Sequence, residues 1–512
     1  MRRVRRVHKP TPSDTPAPAA PRPLRELWPP HAGPAPDILV SGIASSSRDV
    51  VPGSIFVALR GTQRDGHDFL PDAVARGAAA VVVEPGFAAS LAVPTFEVGN
   101  PRALLAELAA NWHLRPAERL TLVGITGTVG KTSVLTMLEA ALQAAAADAG
   151  VIGSLGLRIR GAPQQETPYT SPDALLLHYW LARLVDAGCT LAAMEVTSHA
   201  LVQGRVHGLR FDLGIFTNLI PLEHTEFHGT FRSYVQAKQR FFEHVRPGAP
   251  LLYNADDRAV RRLVRDSSAV PIGCGASRTA HVRVRDIDMD ASGTRFTLQL
   301  RRPLPRVCGG EVAPFELPLR LRLLGRSSVA NATLAASAAL SLGVGPRDVA
   351  AAFARLEPAR RRMQLLHGAD FLILDDTTGH PESITAVFEV AGALRPRRLH
   401  VAYVVRGHRG ARINEQLGAT LAIWCAQLPT ATLVVSRASD TADERNRVTD
   451  EEHAAFVAPL ASAGVAYRDV DRLEDAVPAV LERAAPGDLV LLLGAQGMNE
   501  GQRIARAWLD TR

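Results

Sequence analysis

Cysteine is scarce in this sequence. The four cysteines, Cys189, Cys274, Cys308 and Cys425, lie far apart and form no CxxC or Cys/His pairing. This spacing argues against a disulfide framework and against a cysteine-based zinc site, because both need partners in recognisable spacings. A reducing compartment is therefore expected, and the interpretation is a cytoplasmic protein.

Long apolar runs are missing as well. No uninterrupted apolar stretch approaches the roughly 20 residues that a membrane-spanning helix needs, so membrane insertion is not expected. The basic start of the chain, from Arg2 to Lys9, continues into Pro-rich sequence rather than into an apolar segment, which argues against a secretory signal. Residues 1–25 are predicted to form a disordered Pro- and Arg-rich tail.

The sequence also lacks a basic stripe with interleaved aromatic residues. Its net charge of +7 and pI near 9.6 come in part from the arginines of the tail, so no nucleic-acid partner is predicted. The hydrophobic fraction of 46% and the charged fraction of 21% are typical of a globular protein. At about 100–200 residues per domain, the 512 residues are expected to form about three domains.

After the tail, short apolar runs alternate with helical segments, which predicts an α/β fold with parallel sheets. Residues 26–115 are predicted to be a small α/β domain, 116–356 a central parallel-sheet domain and 357–512 a Rossmann-like domain. The predicted helices include 133–146 and 329–342. The predicted strands are 55–59, 78–83, 94–98, 120–125, 191–196, 213–217, 371–374, 399–405, 431–435 and 489–493.

A glycine-rich loop joins the strand at 120–125 to the helix at 133–146. It runs from Gly124 to Ser133 with the sequence GITGTVGKTS. Glycines let backbone N–H groups surround phosphate oxygens, Lys131 can reach the β- and γ-phosphates, and Thr132 can bind Mg²⁺. The pattern predicts ATP as ligand, although the first glycine of the general phosphate-loop pattern falls at Ile125.

Five segments follow this loop in a fixed order. They are 194–201 (MEVTSHAL), 203–205 (QGR), 216–219 (FTNL), 223–230 (EHTEFHGT) and 234–238 (YVQAK). Together with TGTVGKT at 126–132, they resemble the Mur ligase family. The N-terminal motifs 47–48 (SR), 51–53 (VPG), 56–59 (FVAL), Gly61 and 65–67 (DGH) resemble the uridine-nucleotide domain of the branch that adds the third peptide residue.

The resemblance implies a three-domain ligase of peptidoglycan precursor synthesis. Such an enzyme would use ATP and Mg²⁺ to join the carboxylate of a UDP-N-acetylmuramoyl-peptide to an amino acid, and it would act as a monomer. The resemblance implies that Lys131, Glu195, His224 and Lys238 are catalytic. Thr132, Glu195, His224 and Lys238, the last as a carbamate, would hold the metal.

The resemblance also assigns two sets of binding residues. Arg205 suits its role because a planar guanidinium holds a carboxylate or phosphate by paired hydrogen bonds. For the acceptor the residues are Ser47, Arg48, Asp65, Gly66, His67, Thr170, Ser171, Thr197, Gln203 and Arg205. For ATP they are Gly127, Thr128, Val129, Gly130, Lys131, Thr132, Ser133, Asn331, Arg362 and Asp376, with Asp375 competing for the last role.

The sequence departs from the family pattern mainly in the C-terminal block. The Asp-Asn-Pro-Arg signature of diaminopimelate-adding members is missing from 435–445 (VSRASDTADER), and segments 405–412 (VRGHRGAR) and 494–500 (GAQGMNE) also differ. Val129 replaces the usual asparagine of the loop. Either the enzyme adds a different amino acid or uses a related acceptor, or catalysis has been lost.

The presence of all four implied catalytic residues favours an active enzyme. Two other functions stay open at this point. The first is a folyl- or polyglutamate-type amide ligase, which would not be expected to carry the uridine-nucleotide motifs. The second is a non-catalytic module that holds ATP or a wall precursor.

Overall fold

The structure is a computed structural model that describes residues 20–34, 37–61, 64–87, 91–167, 169–220, 225–358 and 360–511, without the side chains of residues 225, 226 and 445. The chain forms two compact units. The first comprises the residues up to 283 with 299–315 and 331–349, and the second comprises 284–298, 316–330 and 350 to the C-terminus. Over the described ranges, no helix is both long and apolar enough to cross a bilayer.

The N-terminal part of the first unit is a small parallel sheet with helices. Its elements are β1 (Arg22–Pro23), α1 (Leu24–Leu27), β2 (Leu39–Val40), β3 (Gly42–Ala44), β4 (Ser54–Val57), α2 (Leu70–Ala75), β5 (Ala80–Val83), β6 (Thr95–Glu97) and α3 (Pro101–Trp112). Strands β3 to β6 pair in parallel in chain order. Ile55 and Val57 pack on one face of this sheet and Phe56 on the other. Both faces are covered, so the strands are continuous apolar runs.

The predicted tail is too long at its C-terminal end. Leu24 and Leu27 are fully buried in the core on one face of the N-terminal sheet, and β1 pairs with β2. Burial of a leucine side chain contributes about 1.5–3 kcal/mol. Leu24 thus anchors the end of the predicted tail, while Leu27 belongs to the predicted domain that follows.

A larger sheet forms the central part of the first unit. Its elements are β7 (Thr121–Thr126), α4 (Lys131–Ala144), β8 (Ala149–Gly153), β9 (Gly156–Ile159), β10 (Ala162–Gln165), α5 (Ala174–Asp186), β11 (Leu191–Glu195), α6 (Ser198–Val202), β12 (Leu213–Phe216), α7 (Thr225–His228), α8 (Phe231–Gln239), α9 (Phe241–His244), β13 (Pro250–Asn254), α10 (Arg258–Leu263) and β14 (Val270–Gly275). Strand β7 lies between β11 and β12 and is parallel to both. The C-terminal ends of these three strands therefore meet at one edge, where ligands bind in open α/β sheets.

The segment from 282 to 355 contributes to both units. Its elements are β15 (Val282–Asp290), β16 (Gly293–Leu300), β17 (Leu304–Pro305), β18 (Glu311–Val312), β19 (Phe315–Leu321), α11 (Arg326–Ser341) and α12 (Pro346–Arg355). Most residues of β15, β16 and β19 belong to the second unit. Helix α11 gives its residues from Asn331 onward to the first unit, which also contains the glycine-rich loop.

The second unit contains a six-stranded sheet in the order β20-β21-β25-β22-β23-β24. Its elements are β20 (Gln364–Gly368), β21 (Leu372–Asp376), α13 (Pro381–Leu394), β22 (Leu399–Val404), α14 (Ala411–Gln427), β23 (Thr430–Ser436), α15 (Asp450–Ser462), β24 (Arg468–Val470), α16 (Leu473–Leu481), β25 (Leu489–Gly494) and α17 (Gly501–Asp510). Only β20 pairs antiparallel among these strands. Leu491 and Leu492 pack on opposite faces. The predicted α/β class is confirmed.

Candidate active site

The glycine-rich loop lies between the end of β7 and the start of α4. Gly127 (φ 140°) and Gly130 (φ 86°) adopt backbone angles that residues with a side chain rarely adopt. A Cβ at Gly127 would overlap Oγ1 of Thr217, and a Cβ at Gly130 would lie 2.5 Å from Oδ1 of Asn331. Glycine is therefore required at both positions, and the loop leads directly into a helix N-terminus, which favours anions.

Residues that follow β12 hold the loop in this shape. The amide of Val129 donates to Oδ1 of Asn218 at 2.9 Å, and the carbonyl of Val129 accepts from Oγ1 of Thr217 at 2.6 Å. Oγ1 of Thr128 lies 2.9 Å from Oη of Tyr234. The loop contacts of Val129 are thus made by its backbone, while its side chain is 43% exposed. Valine in place of asparagine leaves these backbone contacts intact.

The sequence prediction omits Thr217, Asn218 and Tyr234 from the site. All three belong to segments that carry the family resemblance, 216–219 and 234–238, so a signal for them was present. Their contacts join residues 88–106 positions apart in the chain. Spacing alone does not reveal such contacts.

Two lysines converge on one carbonyl of the loop. Nζ of Lys131 donates to the carbonyls of Gly127 and Thr128, both at 2.9 Å, and Nζ of Lys238 donates to the carbonyl of Gly127 at 2.8 Å. Lys238 lies on α8 and is 1% exposed. Its Nζ is 5.1 Å from the ring centroid of Tyr234. The fold therefore places two amines at the loop from positions 107 residues apart in the sequence.

Glu195, at the end of β11, lies beside the same loop. Oγ1 of Thr132 is 3.0 and 2.9 Å from the two carboxylate oxygens of Glu195. The amide of Ser154, a residue that the sequence did not single out, donates to Oε1 of Glu195 at 2.8 Å. Burial raises the pKa of Glu195, while the Ser154 amide and the charge of Lys131 oppose the rise. The buried carboxylate of Glu195 thus lies beside the Thr132 hydroxyl, at the first turn of α4.

Three more residues are predicted for this part of the site: Ser133, Asn331 and His224. Ser133 lies in the first turn of α4, and Asn331 contacts the loop at Gly130. His224 lies outside the described residues. Over the part of the chain that the structure describes, no group of three or more His, Cys, Asp and Glu side chains could hold a metal. The Glu195 carboxylate instead accepts side-chain hydrogen bonds from the hydroxyls of Thr132 and Ser154.

The residues predicted to contact the acceptor peptide form a cluster next to Glu195. Oγ of Ser171 donates to the carbonyl of Glu195 at 2.9 Å, and the amide of Thr197 donates to Oγ of Ser171 at 3.1 Å. Arg205 donates from Nη1 to the carbonyl of Ser171 at 2.6 Å, and from Nε and Nη2 to Oε1 of Gln203. These contacts connect the acceptor cluster to the backbone of Glu195, whose side chain lies beside the glycine-rich loop.

Thr170 links the acceptor cluster to the phosphate loop by hydroxyl contacts. Oγ of Ser154 donates to Oγ1 of Thr170 at 3.1 Å and lies 3.3 Å from Oγ1 of Thr132. Three hydroxyls therefore run from the start of α4 to the predicted acceptor residues. Substrates bound at the two places would be adjacent.

The predicted uridine-nucleotide residues form a separate group on the N-terminal sheet. His67 is 2% exposed, its Nδ1 lies 2.6 Å from Oδ1 of Asp65, and its Nε2 accepts from the amide of Glu84 at 3.1 Å. Ser47 is buried and contacts the carboxyl of Asp72, and Arg48 follows it in a short 3₁₀ turn. Both ring nitrogens of His67 are engaged within the protein. His67 and Asp65 therefore shape the loop around Gly66, and direct ligand contact by the His67 ring stays a prediction.

In the second unit, the structure distinguishes two neighbouring arginines. Arg361 is 3% exposed, and its Nε donates to Oδ1 of Asp375 at 3.1 Å. Arg362 is exposed. Oδ2 of Asp376 accepts from the amide of Met363 at 2.7 Å. Arg361 and Asp375 thus form a buried pair in the fold, while Arg362, predicted to contact ATP, faces solvent within its unit.

We expect Gly127→Ala to weaken ATP binding by about tenfold. A Cβ at a left-handed φ costs about 1–2 kcal/mol, and overlap with Thr217 adds to this cost. Calorimetric titration with ATP measures the change. Gly248→Ala is the control, because Gly248 also has a positive φ of 77° but no atom within 4 Å of the place that a Cβ would take. Equal weakening by both variants would contradict a specific role for the loop shape.

We expect Asp376→Asn to stabilise the protein at pH 8 by about 3 kcal/mol. Burial raises the pKa of Asp376 to about 6, so the folded state holds the proton more tightly than the unfolded state. Stability then falls as pH rises from about 4 to about 6. Asparagine carries no charge and keeps an oxygen for the Met363 amide. Thermal melts at pH 8 and pH 5 should show a larger gain at pH 8.

Asp375→Asn is the matched comparison. It removes the charge that balances the buried Arg361, so it should destabilise the protein by about 3 kcal/mol. A gain in stability with both variants would show that the Arg361 pair contributes nothing specific.

Comparisons with known proteins show the family of the chain. Family descriptions match in chain order: "Mur ligase family, catalytic domain" at residues 39–113, "Mur ligase middle domain" at 125–339 and "Mur ligase, glutamate ligase domain" at 361–496. The UDP-N-acetylmuramoyl-L-alanyl-D-glutamate--2,6-diaminopimelate ligase of Xanthomonas oryzae pv. oryzae is 33% identical over 94% of both chains. That of Geobacillus kaustophilus is 32% identical over 92% of both.

Solved structures show the same fold. A UDP-N-acetylmuramoyl-L-alanyl-D-glutamate--2,6-diaminopimelate ligase superposes with a TM-score of 0.66 at 22% identity, over 93% of this chain and 97% of the other. The predicted family, branch and three-domain architecture are confirmed, and the folyl-type and non-catalytic alternatives are not favoured. The chain therefore belongs to the Mur ligase family of amide-forming ligases.

Proposed function

We propose that this chain uses ATP to join the carboxylate of a UDP-N-acetylmuramoyl-peptide to the amino group of an amino acid. The proposal is carried by the convergence of Lys131, Lys238 and the Thr132–Glu195 pair on one glycine-rich loop. Cations and a helix N-terminus around phosphate are the usual means of stabilising phosphoryl transfer. The relatives named above, UDP-N-acetylmuramoyl-L-alanyl-D-glutamate--2,6-diaminopimelate ligases, support this class of acceptor.

The reaction has two displacement steps. An oxygen of the acceptor carboxylate attacks the γ-phosphorus of ATP, the bond to the bridging oxygen breaks, and ADP leaves with the electron pair. The amino group of the incoming amino acid then attacks the acyl carbon, phosphate leaves, and the nitrogen loses a proton. Lys131 stabilises negative charge on the phosphoryl oxygens during the first step, which is mainly a matter of position and charge.

Mg²⁺ belongs to the proposal, and the residues present fit it. Thr132 and Glu195 offer oxygen donors side by side, and Mg²⁺ in nucleotide sites is commonly held by one or two carboxylates together with phosphate oxygens. A carbamate on Lys238 would add a second anionic ligand, and His224 is the further proposed ligand. When bound, the ion would neutralise charge on the phosphates.

Acceptor recognition is assigned to the cluster around Arg205. Ser171 and Thr197 hold the backbone after Glu195, and Gln203 fixes the guanidinium of Arg205. An acceptor carboxylate held by Arg205 would lie close to the phosphate loop, because the Ser154 and Thr170 hydroxyls connect the two places. Positioning of this kind supplies much of the rate enhancement in two-substrate reactions.

The incoming amino acid stays unassigned. In 435–445, where diaminopimelate-adding members carry their signature, Nη1 of Arg437 pairs with Asp450 at 2.5 Å. Asp440 accepts from the amides of Leu473 and Glu474 at the start of α16. Arg437 and Asp440 are thus engaged within the second unit, and the identity of the incoming amino acid stays open.

The test is ADP release from the full chain with ATP, Mg²⁺, UDP-N-acetylmuramoyl-dipeptide and each amino acid of a panel that includes diaminopimelate. We expect turnover that depends on the acceptor and on one class of amino acid. Tight precursor binding without turnover for any amino acid would support a binding protein, and turnover only with folyl substrates would overturn the acceptor assignment.

A further inference from the structure

Tyr169 and Arg205 form a contact in addition to the hydrogen bonds of the acceptor cluster. The guanidinium carbon of Arg205 lies 5.0 Å from the centroid of the Tyr169 ring. This distance is within the range of an attractive cation–π interaction. Tyr169 is 54% exposed, so its ring is a large aromatic surface that does not serve the core.

The remaining contacts of Arg205 restrict its guanidinium strongly. Nε and Nη2 donate to Oε1 of Gln203 at 2.9 and 2.7 Å, and Nη1 donates to the carbonyl of Ser171 at 2.6 Å. A guanidinium has five N–H groups. The described residues accept hydrogen bonds from three of them, so two remain for a ligand. Burial lowers the pKa of Arg205, and Asp173 opposes this effect.

These contacts are of two kinds. Gln203 and Ser171 accept hydrogen bonds from the N–H groups of the guanidinium, whereas its central carbon lies over the Tyr169 ring. The bonds to Gln203 and Ser171 allow the plane to tilt, because each engages an N–H group in the plane. An aromatic ring packed beside the guanidinium limits that tilt and so holds the direction of the two remaining N–H groups.

We infer that Tyr169 is a positioning residue for the acceptor, which acts by holding the guanidinium of Arg205 in the orientation that binds an acceptor carboxylate or phosphate. This inference rests on the proposed function for the identity of the anion. Tyr169 contributes an aromatic face and no proton, so its hydroxyl is not required.

The test compares Tyr169→Leu with Tyr169→Phe in the full chain. Leucine removes the aromatic face, and phenylalanine keeps it. We expect Tyr169→Leu to raise the acceptor KM by about fivefold, which corresponds to about 1 kcal/mol, with kcat and the KM for ATP within about twofold of the parent, and Tyr169→Phe to restore the parent value. An unchanged acceptor KM in Tyr169→Leu would overturn the inference.

A double-mutant cycle separates positioning from direct contact. If Tyr169 acts through Arg205, then Tyr169→Leu should have little further effect in an Arg205→Gln background, because the two effects are coupled. An equal, additive rise in KM would mean that the ring touches the acceptor itself, and the positioning role would be wrong.

Tyr179→Leu is the matched control. The guanidinium of Arg183 lies 6.0 Å from the Tyr179 ring, so the same substitution removes a similar contact within α5. Its acceptor KM should stay at the parent value. Calorimetric binding of UDP-N-acetylmuramoyl-dipeptide provides a readout that does not depend on turnover. If the parent protein binds this acceptor but does not turn over, the proposed function is wrong. If Tyr169→Leu binds the acceptor as tightly as the parent does, only this inference is wrong.

Discussion

Lys131→Met lowers kcat by about two to three orders of magnitude. Nζ of Lys131 lies 2.9 Å from two carbonyls of the loop, at the start of α4, where an anion would be held. Methionine keeps the length of the side chain and removes its charge. The charge that develops on the phosphoryl oxygens would then lack its nearest cation. Initial rates of ADP release at saturating ATP and acceptor measure the loss.

The composition of the chain provides a control for this variant. The sequence contains only three lysines, Lys9, Lys131 and Lys238, among 58 lysines and arginines. Lys9→Met makes the same chemical change in the basic N-terminal segment, at a residue to which no role in the reaction is proposed, and should keep parent kcat. Full activity in Lys131→Met would mean that the loop does not hold the reacting phosphates.

Much of the fold was predictable because strands that are buried on both faces of a sheet consist of continuous apolar residues. Runs such as 80–83 and 489–493 are continuous and apolar, and the structure buries them on both faces. The glycine-rich loop was predictable for a related reason. Gly127 and Gly130 have conformations and neighbours that exclude a side chain. The glycines in the sequence therefore indicate the backbone conformation of the loop directly.

The rest depended on contacts between distant residues. Ser154 looks like any serine after a strand, yet its amide and hydroxyl connect Glu195 with Thr170. Arg361 and Arg362 are identical side chains in adjacent positions. Only the turn around them, with a positive φ at Arg361, decides which one is buried. Leu24 was missed because two leucines in a Pro-rich segment give no period from which burial could be predicted.

The proposed role of Lys238 depends on the reactivity of its amine rather than on a positive charge. It is buried, and its Nζ shares the Gly127 carbonyl with Lys131. Arginine carries nearly all of the positive charge elsewhere in the chain, since only three lysines are present. Lysine, unlike arginine, can form a carbamate: CO₂ adds to the neutral amine, a proton is released, and a carboxylate results at Nζ.

We therefore expect Lys238→Ala and Lys238→Arg both to lose about two to three orders of magnitude in kcat, with the Kd for ATP within about threefold of the parent. Lys238→Arg keeps the charge and cannot be carbamylated, so partial activity in this variant alone would indicate a cationic role. Truncation of Lys238 to alanine leaves space for a small molecule at the loop. Formate or acetate should partly restore turnover in Lys238→Ala, because either supplies the missing carboxylate. Restoration by methylammonium, with no response to formate or acetate, would instead show that the site needs a cation at this position and would remove the carbamate from the mechanism.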